Sequence, residues 1–193
     1  MTTTPLRMPS VAPTFGRVRL RAFQERDVAM LRDMSTDPYV PTIGTLPADA
    51  DEADALAFIE RQRQRLTTRT GYSFCIADAT TDAALGNAGL HLTQIATGRA
   101  TAGYSVAPKN RGSGIAGQGL TALTRFGWTL PELHRIELYI EPWNIASQRT
   151  AEAAGYAREG LLRSHQEIAG RRVDMLVYAA IRADGPDIGA TRG

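Results

Sequence analysis

The sequence predicts an α+β fold, with helices layered on a mostly antiparallel sheet. Three observations carry this expectation. Short runs of strict apolar–polar alternation recur, as in Arg17-Val18-Arg19-Leu20-Arg21 and Arg135 to Glu141. Runs of helical spacing stand between them in mixed order, without a regular strand–helix–strand repeat. The chain has 193 residues, 43% of them hydrophobic, which suits one domain burying roughly 70% of its unfolded surface.

Residues 1–16 lack any period and read as a flexible N-terminal arm; the tail 183–193 reads the same way. The domain between them spans 17–182. Its first strand is the alternating run at Arg17. Gln24 to Met34 follows as a helix, with Val28, Leu31 and Met34 on one face, until Pro38 and Pro41 break it. Pro38 to Thr42 reads as a stiff loop. A second helix begins after Pro47. Tyr72 to Ile76 and Leu85 to Thr93 are strands, and Ala102 to Val106 is another, reached by a hairpin at Thr97-Gly98. A helix runs from Ile115 to about Trp128, and Pro131 ends it. After the strand at Arg135, Ser147 to Ala154 forms a short helix stopped by Gly155. Two final strands, Tyr156 to Gln166 and Val173 to Ile181, meet at the Ala169-Gly170-Arg171 turn. The total is about seven strands and four helices.

Charge and cysteine content exclude several classes. Charged residues make up 22% of the chain and the net charge is +2. The arginines alternate with acidic residues, and no basic run exceeds Arg171-Arg172, so no nucleic-acid partner is expected. Cys75 is the sole cysteine, which leaves no disulfide and no cysteine-based metal cluster; no metal is expected. No apolar run reaches about 18 residues, so no membrane partner is expected. A reducing, cytoplasmic setting follows as an expectation.

The most informative stretch is Tyr104-Ser105-Val106-Ala107-Pro108-Lys109-Asn110-Arg111-Gly112-Ser113-Gly114-Ile115-Ala116. A strand enters a loop with two glycines and leaves as a helix. Gly112 and Gly114 let successive N–H groups converge, and the helix start adds unpaired donors and a positive dipole end. The product is an anion site suited to phosphate or diphosphate. Ile115-Ala116 follow the second glycine, where a Walker loop needs Lys and then Ser or Thr. The spacing Gly112, Gly114, Gly117 also fits a dinucleotide fingerprint, but the preceding strand belongs to a hairpin rather than to a strand–helix–strand unit.

Arg111-Gly112-Ser113-Gly114-Ile115-Ala116 resembles the R-x-x-G-x-A motif of the GNAT N-acetyltransferases. Further residues resemble the RimJ/RimL-type branch: Leu20-Arg21, Gly103-Tyr104, Asn144-Ile145-Ala146-Ser147 with Glu152 and Gly155-Tyr156, and the closing hairpin at 170–174 with Tyr178. The likeness covers 17–181. It implies a GNAT-like sheet whose two central parallel strands splay apart, and acetyl-CoA as co-substrate. Carried over residue by residue, it implies that the main chain of Ser105 and Val106 pairs with the pantetheine arm. The N–H groups of Arg111, Gly112, Gly114, Ile115 and Ala116, with Ser113 in the same loop, hold the diphosphate, and Asn144 reaches the pantetheine amides. Asn144 also reads as a helix cap, and Ser147 as a helix-start residue.

The implied reaction is direct transfer of an acetyl group to a primary amine, either a protein N-terminus or a small amine. A non-catalytic acyl-CoA-binding module is the alternative. The tyrosine that many members place seven residues after the motif asparagine is here Ala151, so Ser147 is the candidate proton donor. Branch members often carry a glutamate where Thr101 stands. Glu137 is the first candidate base, with His91 and a water as alternatives, and the Val106 N–H is the candidate oxyanion donor. Glu137 and His91 also read as structural residues. Asp49, Asp51, Glu52 and Asp54 either attract a cationic amine or cap the second helix. The 38–42 loop reads as a lip of the acceptor site, and Asp174, Met175 and Tyr178 as its far wall. A homodimer is an expectation from the resemblance.

Overall fold

A computed structural model describes residues 6–183. Its strands are β1 Thr14–Phe15, β2 Val18–Arg21, β3 Gly71–Asp78, β4 Ala84–His91, β5 Arg99–Val106, β6 Arg135–Ile140, β7 Ala157–Ile168 and β8 Arg171–Ile181. Its α-helices are α1 Val28–Ser35, α2 Val40–Ile43, α3 Glu52–Thr67, α4 Ile115–Gly127 and α5 Ile145–Ala153. The strands make one sheet in the order β1-β2-β3-β4-β5-β6-β8-β7. All neighbours are antiparallel except β5 and β6.

The mixed, mostly antiparallel architecture matches the expectation, with one more strand and one more helix. The extra strand lies in the stretch read as an arm. Thr14 and Phe15 pair with Arg19 and Val18, and Leu6, Met8 and Phe15 pack against the core, whereas Val11 stays exposed. Residues 184–193 of the expected tail lie outside the described residues. The extra helix is α2, in the segment read as a loop. Pro41 sits in its first turn, where the missing N–H costs nothing, and Asp37 Oδ1 accepts from the N–H groups of Tyr39 and Val40.

Alternation divides the sheet into two faces. One face presents Leu20, Phe74, Ile76, Leu90 and Ile136 to α4, which contributes Leu120, Leu123 and Phe126. A Cβ on Gly119 would stand 2.7 Å from Ile76 Cδ1, and one on Gly127 would stand 2.7 Å from Ile136 Cδ1. These glycines let α4 lie close against the sheet. The other face carries Cys75 and Ala77 under α1 and α3, packed with Met30, Leu31, Met34, Phe58 and Ile59. The last two strands turn at Ala169 and Gly170, both at positive φ as a two-residue hairpin loop requires.

The parallel pair sets up the site. β5 and β6 are in register at Arg99↔Arg135, Ala100↔Ile136 and Thr101↔Glu137, and pairing stops there. Beyond Thr101 the two strands diverge and open a gap in the middle of the sheet.

Candidate active site between the diverging strands

The loop after β5 carries free donors. Gly112 and Gly114 adopt φ +80° and +74°, and Gly114 caps α4 without a side-chain cap bond. The main-chain N–H groups of Gly112 through Gly117 have no acceptor among the described residues, whereas that of Arg111 turns to Pro108 C=O at 3.3 Å. Arg111 therefore leaves the set of expected amide donors. A Cβ built on Gly112 or Gly117 meets nothing within 4 Å. The donors surround open space of the kind a diphosphate needs. The Ser113 hydroxyl turns back to Asn110 C=O at 3.2 Å, and its residue does not line the cleft.

The cleft itself has a volume of about 1010 Å³ and runs from this loop into the gap between β5 and β6. Main-chain polarity along β5 follows from its pairing with β4. Ala107 N–H donates to Leu85 C=O, and Val106 is in register with Gly86, so that pair is not itself hydrogen-bonded. By alternation, the amides of Tyr104 and Val106 face the gap and those of Ser105 face β4. Of the two residues expected along the pantetheine arm, Val106 therefore presents its amide to the gap, while Ser105 turns its main chain toward Asn87 on β4.

The Arg111 side chain closes one end of the cleft. Its Nε donates to Val106 C=O at 3.0 Å, and its Nη1 lies 2.6 Å from Asp37 Oδ2. The Tyr39 and Val40 amides together with Arg111 hold the Asp37 carboxyl below its usual range against the opposing effect of burial, which is the largest single influence. Across the gap, Tyr39 meets Trp143 edge-on at 4.9 Å. The 37–39 segment therefore straps the cleft from the anion loop to the start of α5.

On the α5 side, Asn144 Oδ1 accepts from Ser147 N–H at 3.0 Å, which satisfies the capping reading of Asn144. Both residues line the cleft. Ser147 Oγ lies 2.8 Å from the Tyr104 phenol, and burial pushes that phenol's pKa up, so it stays protonated. Tyr104 is the residue that sequence reasoning missed. Its position in the Gly103-Tyr104 pair was visible, but its partner lies 43 positions away. Ala151 is fully buried and faces the core rather than the cleft.

A second cavity, of about 330 Å³, opens beside the first on the α1/α3 face. The two share Val40, Ile43, Gly103, Tyr104 and Ser105 as lining residues. Val40 and Ile43 of α2 take part in both walls, and Val40 belongs to the 38–42 segment read as the lip. Glu137 lines neither cavity. Its carboxylate is 3.1 Å from Arg99 Nη2, 2.6 Å from Arg135 Nε and 2.8 Å from the Tyr139 hydroxyl. Those partners hold it ionised, below its usual range although burial opposes them, so Glu137 is a structural ion-pair hub and not a free base. His91 does line the second cavity, but burial and the Arg65 charge lower its pKa to about 4, which makes it a weak base.

The acidic cluster serves the helix. Asp51 caps α3 and forms a reciprocal box with Asp54, and none of the four carboxylates lines either cavity. Asp174 accepts from Ser164 N–H at 2.7 Å, and the Tyr178 phenol bonds to Glu152 at 3.1 Å. The C-terminal hairpin therefore supplies no wall to the acceptor side.

Comparison with known proteins agrees with this geometry. Residues 17–157 match the family model described as an acetyltransferase (GNAT) domain. N-acetyltransferase p20 of Bacillus licheniformis is 26% identical over 168 residues, spanning 87% of this chain and 94% of that protein. RimJ of Mycobacterium smegmatis, solved in complex with CoA-disulfide, is 27% identical with a TM-score of 0.75, covering 93% of this chain and 86% of that one. A Vibrio cholerae structure described as a putative ribosomal-protein-serine acetyltransferase shares the fold at 22% identity and TM-score 0.76, covering 91% of this chain and 99% of that one. With a phosphate-type loop, an interrupted parallel pair and a family match over most of its length, the chain belongs to the GNAT acetyltransferases, with RimJ/RimL-type enzymes among its structural neighbours.

Proposed function

We propose that the protein transfers an acetyl group from acetyl-CoA to a primary amine by direct attack within a ternary complex. The observation that carries this is the meeting of two cavities at Gly103–Ser105, one fitted to an anionic, extended co-substrate and the other to a small acceptor. The fit of acetyl-CoA rests on the free donors of Gly112–Gly117 and on the Tyr104 and Val106 amides facing the gap. Acetyl-CoA supplies the activated acyl carbon.

The chain's own groups divide the remaining work. The amine lone pair forms the new N–C bond, the C–S bond breaks with its electrons on sulfur, and the amine's surplus proton leaves to solvent water. The Val106 N–H stabilises charge on the carbonyl oxygen. Ser147, backed by the Tyr104 phenol, supplies a proton to the departing sulfur and regains one from the solvent that took up the amine proton. Among the described residues, Asp37 is the one carboxylate lining these cavities, and it is paired with Arg111. Water rather than a carboxylate therefore takes the amine proton.

Release of coenzyme A thiol against a panel of amines tests the reading, with acetyl-CoA binding followed by calorimetry. Amine-dependent thiol release is expected. Tight binding with no thiol release from any amine would favour the non-catalytic acyl-CoA-binding module.

A further inference from the structure

We infer that the acceptor is a small amine bearing a carboxylate, an amino acid with an apolar side chain, held by Arg65 at its carboxylate and by Asn87 at its amine. This rests on the acetyl-transfer reading and names the substrate class of its second cavity.

The second cavity is unusual in its charge. No Asp or Glu lines it, whereas Arg65 and His91 do. Arg65 is half-buried, and its nearest polar partner is the His91 ring, at 3.1 and 3.2 Å from Nη1. It has no carboxylate partner among the described residues. Withdrawing a guanidinium from water without a counter-charge is unfavourable, and a ligand carboxylate removes that penalty through a two-pronged, charge-assisted bond. Such a cation also opposes a second positive charge, which counts against polyamines.

Asn87 supplies the opposite preference. Its Oδ1 is buried with no hydrogen-bond partner, and its residue lines the same cavity. An acceptor left without a partner is costly, and a turn of the Asn87 side chain toward the cavity its residue lines gives that oxygen a ligand N–H. Asn87 is in register with Ser105, next to the point where the two cavities meet.

The spacing fits an amino acid. Arg65 Nη1 stands 4.0 Å from where a Gly89 Cβ would be, and Gly89 is in register with Gly103. Asn87 and Gly89 are two residues apart on β4, roughly 7 Å. An amine and a carboxylate on the same carbon, each reached by a hydrogen bond of about 2.9 Å, span a similar distance. The Gly89–Gly103 rung leaves the floor between them free of side chains. Met34, Leu46 and Phe58 form an apolar roof for the side chain.

The test compares leucine, leucinamide and 3-methylbutylamine by coenzyme A release. Leucine is expected to exceed both others at least tenfold in kcat/KM. Arg65→Met should bring the leucine-to-leucinamide ratio within twofold, Arg65→Lys should restore part of it, and Asn87→Ala should raise the leucine KM. Calorimetry should find coenzyme A affinity within twofold of wild type in each variant, which verifies the fold and the first cavity. Leucinamide used as well as leucine, or a ratio that survives Arg65→Met, would overturn the assignment and leave acetyl transfer standing. If no amine releases thiol, the transfer reading fails instead. Leucine binding to the coenzyme A complex then decides the pocket: binding lost in Arg65→Met supports it, and no binding overturns it.

Discussion

The Tyr104 phenol and the Ser147 hydroxyl lie 2.8 Å apart, linking β5 to the first turn of α5 across the mouth of the gap. If this pair delivers the proton to sulfur, Ser147→Ala should lower kcat about ten- to a hundredfold, with coenzyme A affinity nearly unchanged. Tyr104→Phe should give a smaller loss, because Ser147 remains. Stopped-flow thiol release together with calorimetry separates these effects. An unaffected kcat in Ser147→Ala would remove it from the chemistry.

Gly117 provides a clean probe of the anion loop. It lies in α4 rather than at positive φ, and a Cβ there meets open space. Gly117→Glu should therefore keep its melting temperature while losing at least a hundredfold in coenzyme A affinity, since a carboxylate would face the diphosphate. Gly114→Glu should lose affinity too, but with added backbone strain of about 1 kcal/mol or more, because its φ is +74°. Undiminished binding in Gly117→Glu would place the diphosphate elsewhere.

Asp37 lies 2.6 Å from Arg111 and close to the proposed diphosphate seat. Replacing it with Asn keeps an oxygen for the Tyr39 and Val40 amides but removes a negative charge. Coenzyme A should bind about two- to fivefold tighter in Asp37→Asn at low salt, and the gain should shrink as salt screens it. Titrations at two ionic strengths check this. Weaker binding would mean that the carboxylate holds Arg111 in its working position.

His91 makes stability depend on pH. Its pKa falls from 6.5 in the unfolded chain to about 4 in the folded one. The unfolded chain thus binds the extra proton first, and stability declines as pH drops from 6.5 toward 4. The loss from this residue is on the order of 2–3 kcal/mol. Urea unfolding at pH 7 and pH 4.5 should show that decline in the wild type and a smaller one in His91→Gln. The same shift keeps the ring neutral at pH 7. The rate of transfer should then follow the pKa of the amine, without an enzyme inflection near 6.5.

Local chemistry was legible in the sequence wherever it was carried by consecutive residues. The donors after Gly112, the α5 cap at Asn144 and the Ala169-Gly170 turn all follow from short-range rules. What escaped was decided by distant neighbours. Alternation put Glu137 on the face opposite Ile136, but only the register of β5 and β6 brings Arg99 against it. Arg65 and His91 are 26 positions apart and meet only because α3 packs on β3, whose neighbour β4 carries His91. Pro41 reads as a breaker in the sequence, but the first turn of a helix tolerates proline, which conceals α2.

The parting of β5 from β6 creates a sheet margin in the interior of the molecule rather than at its rim. Outward-facing margins invite unwanted strand addition from other chains and promote aggregation. Here the exposed ladder of Tyr104 and Val106 is walled by α2 and α5, so a narrow, extended guest can complete it while a bulky polypeptide cannot. The protein thereby keeps an adhesive edge where strand addition by another chain is sterically opposed.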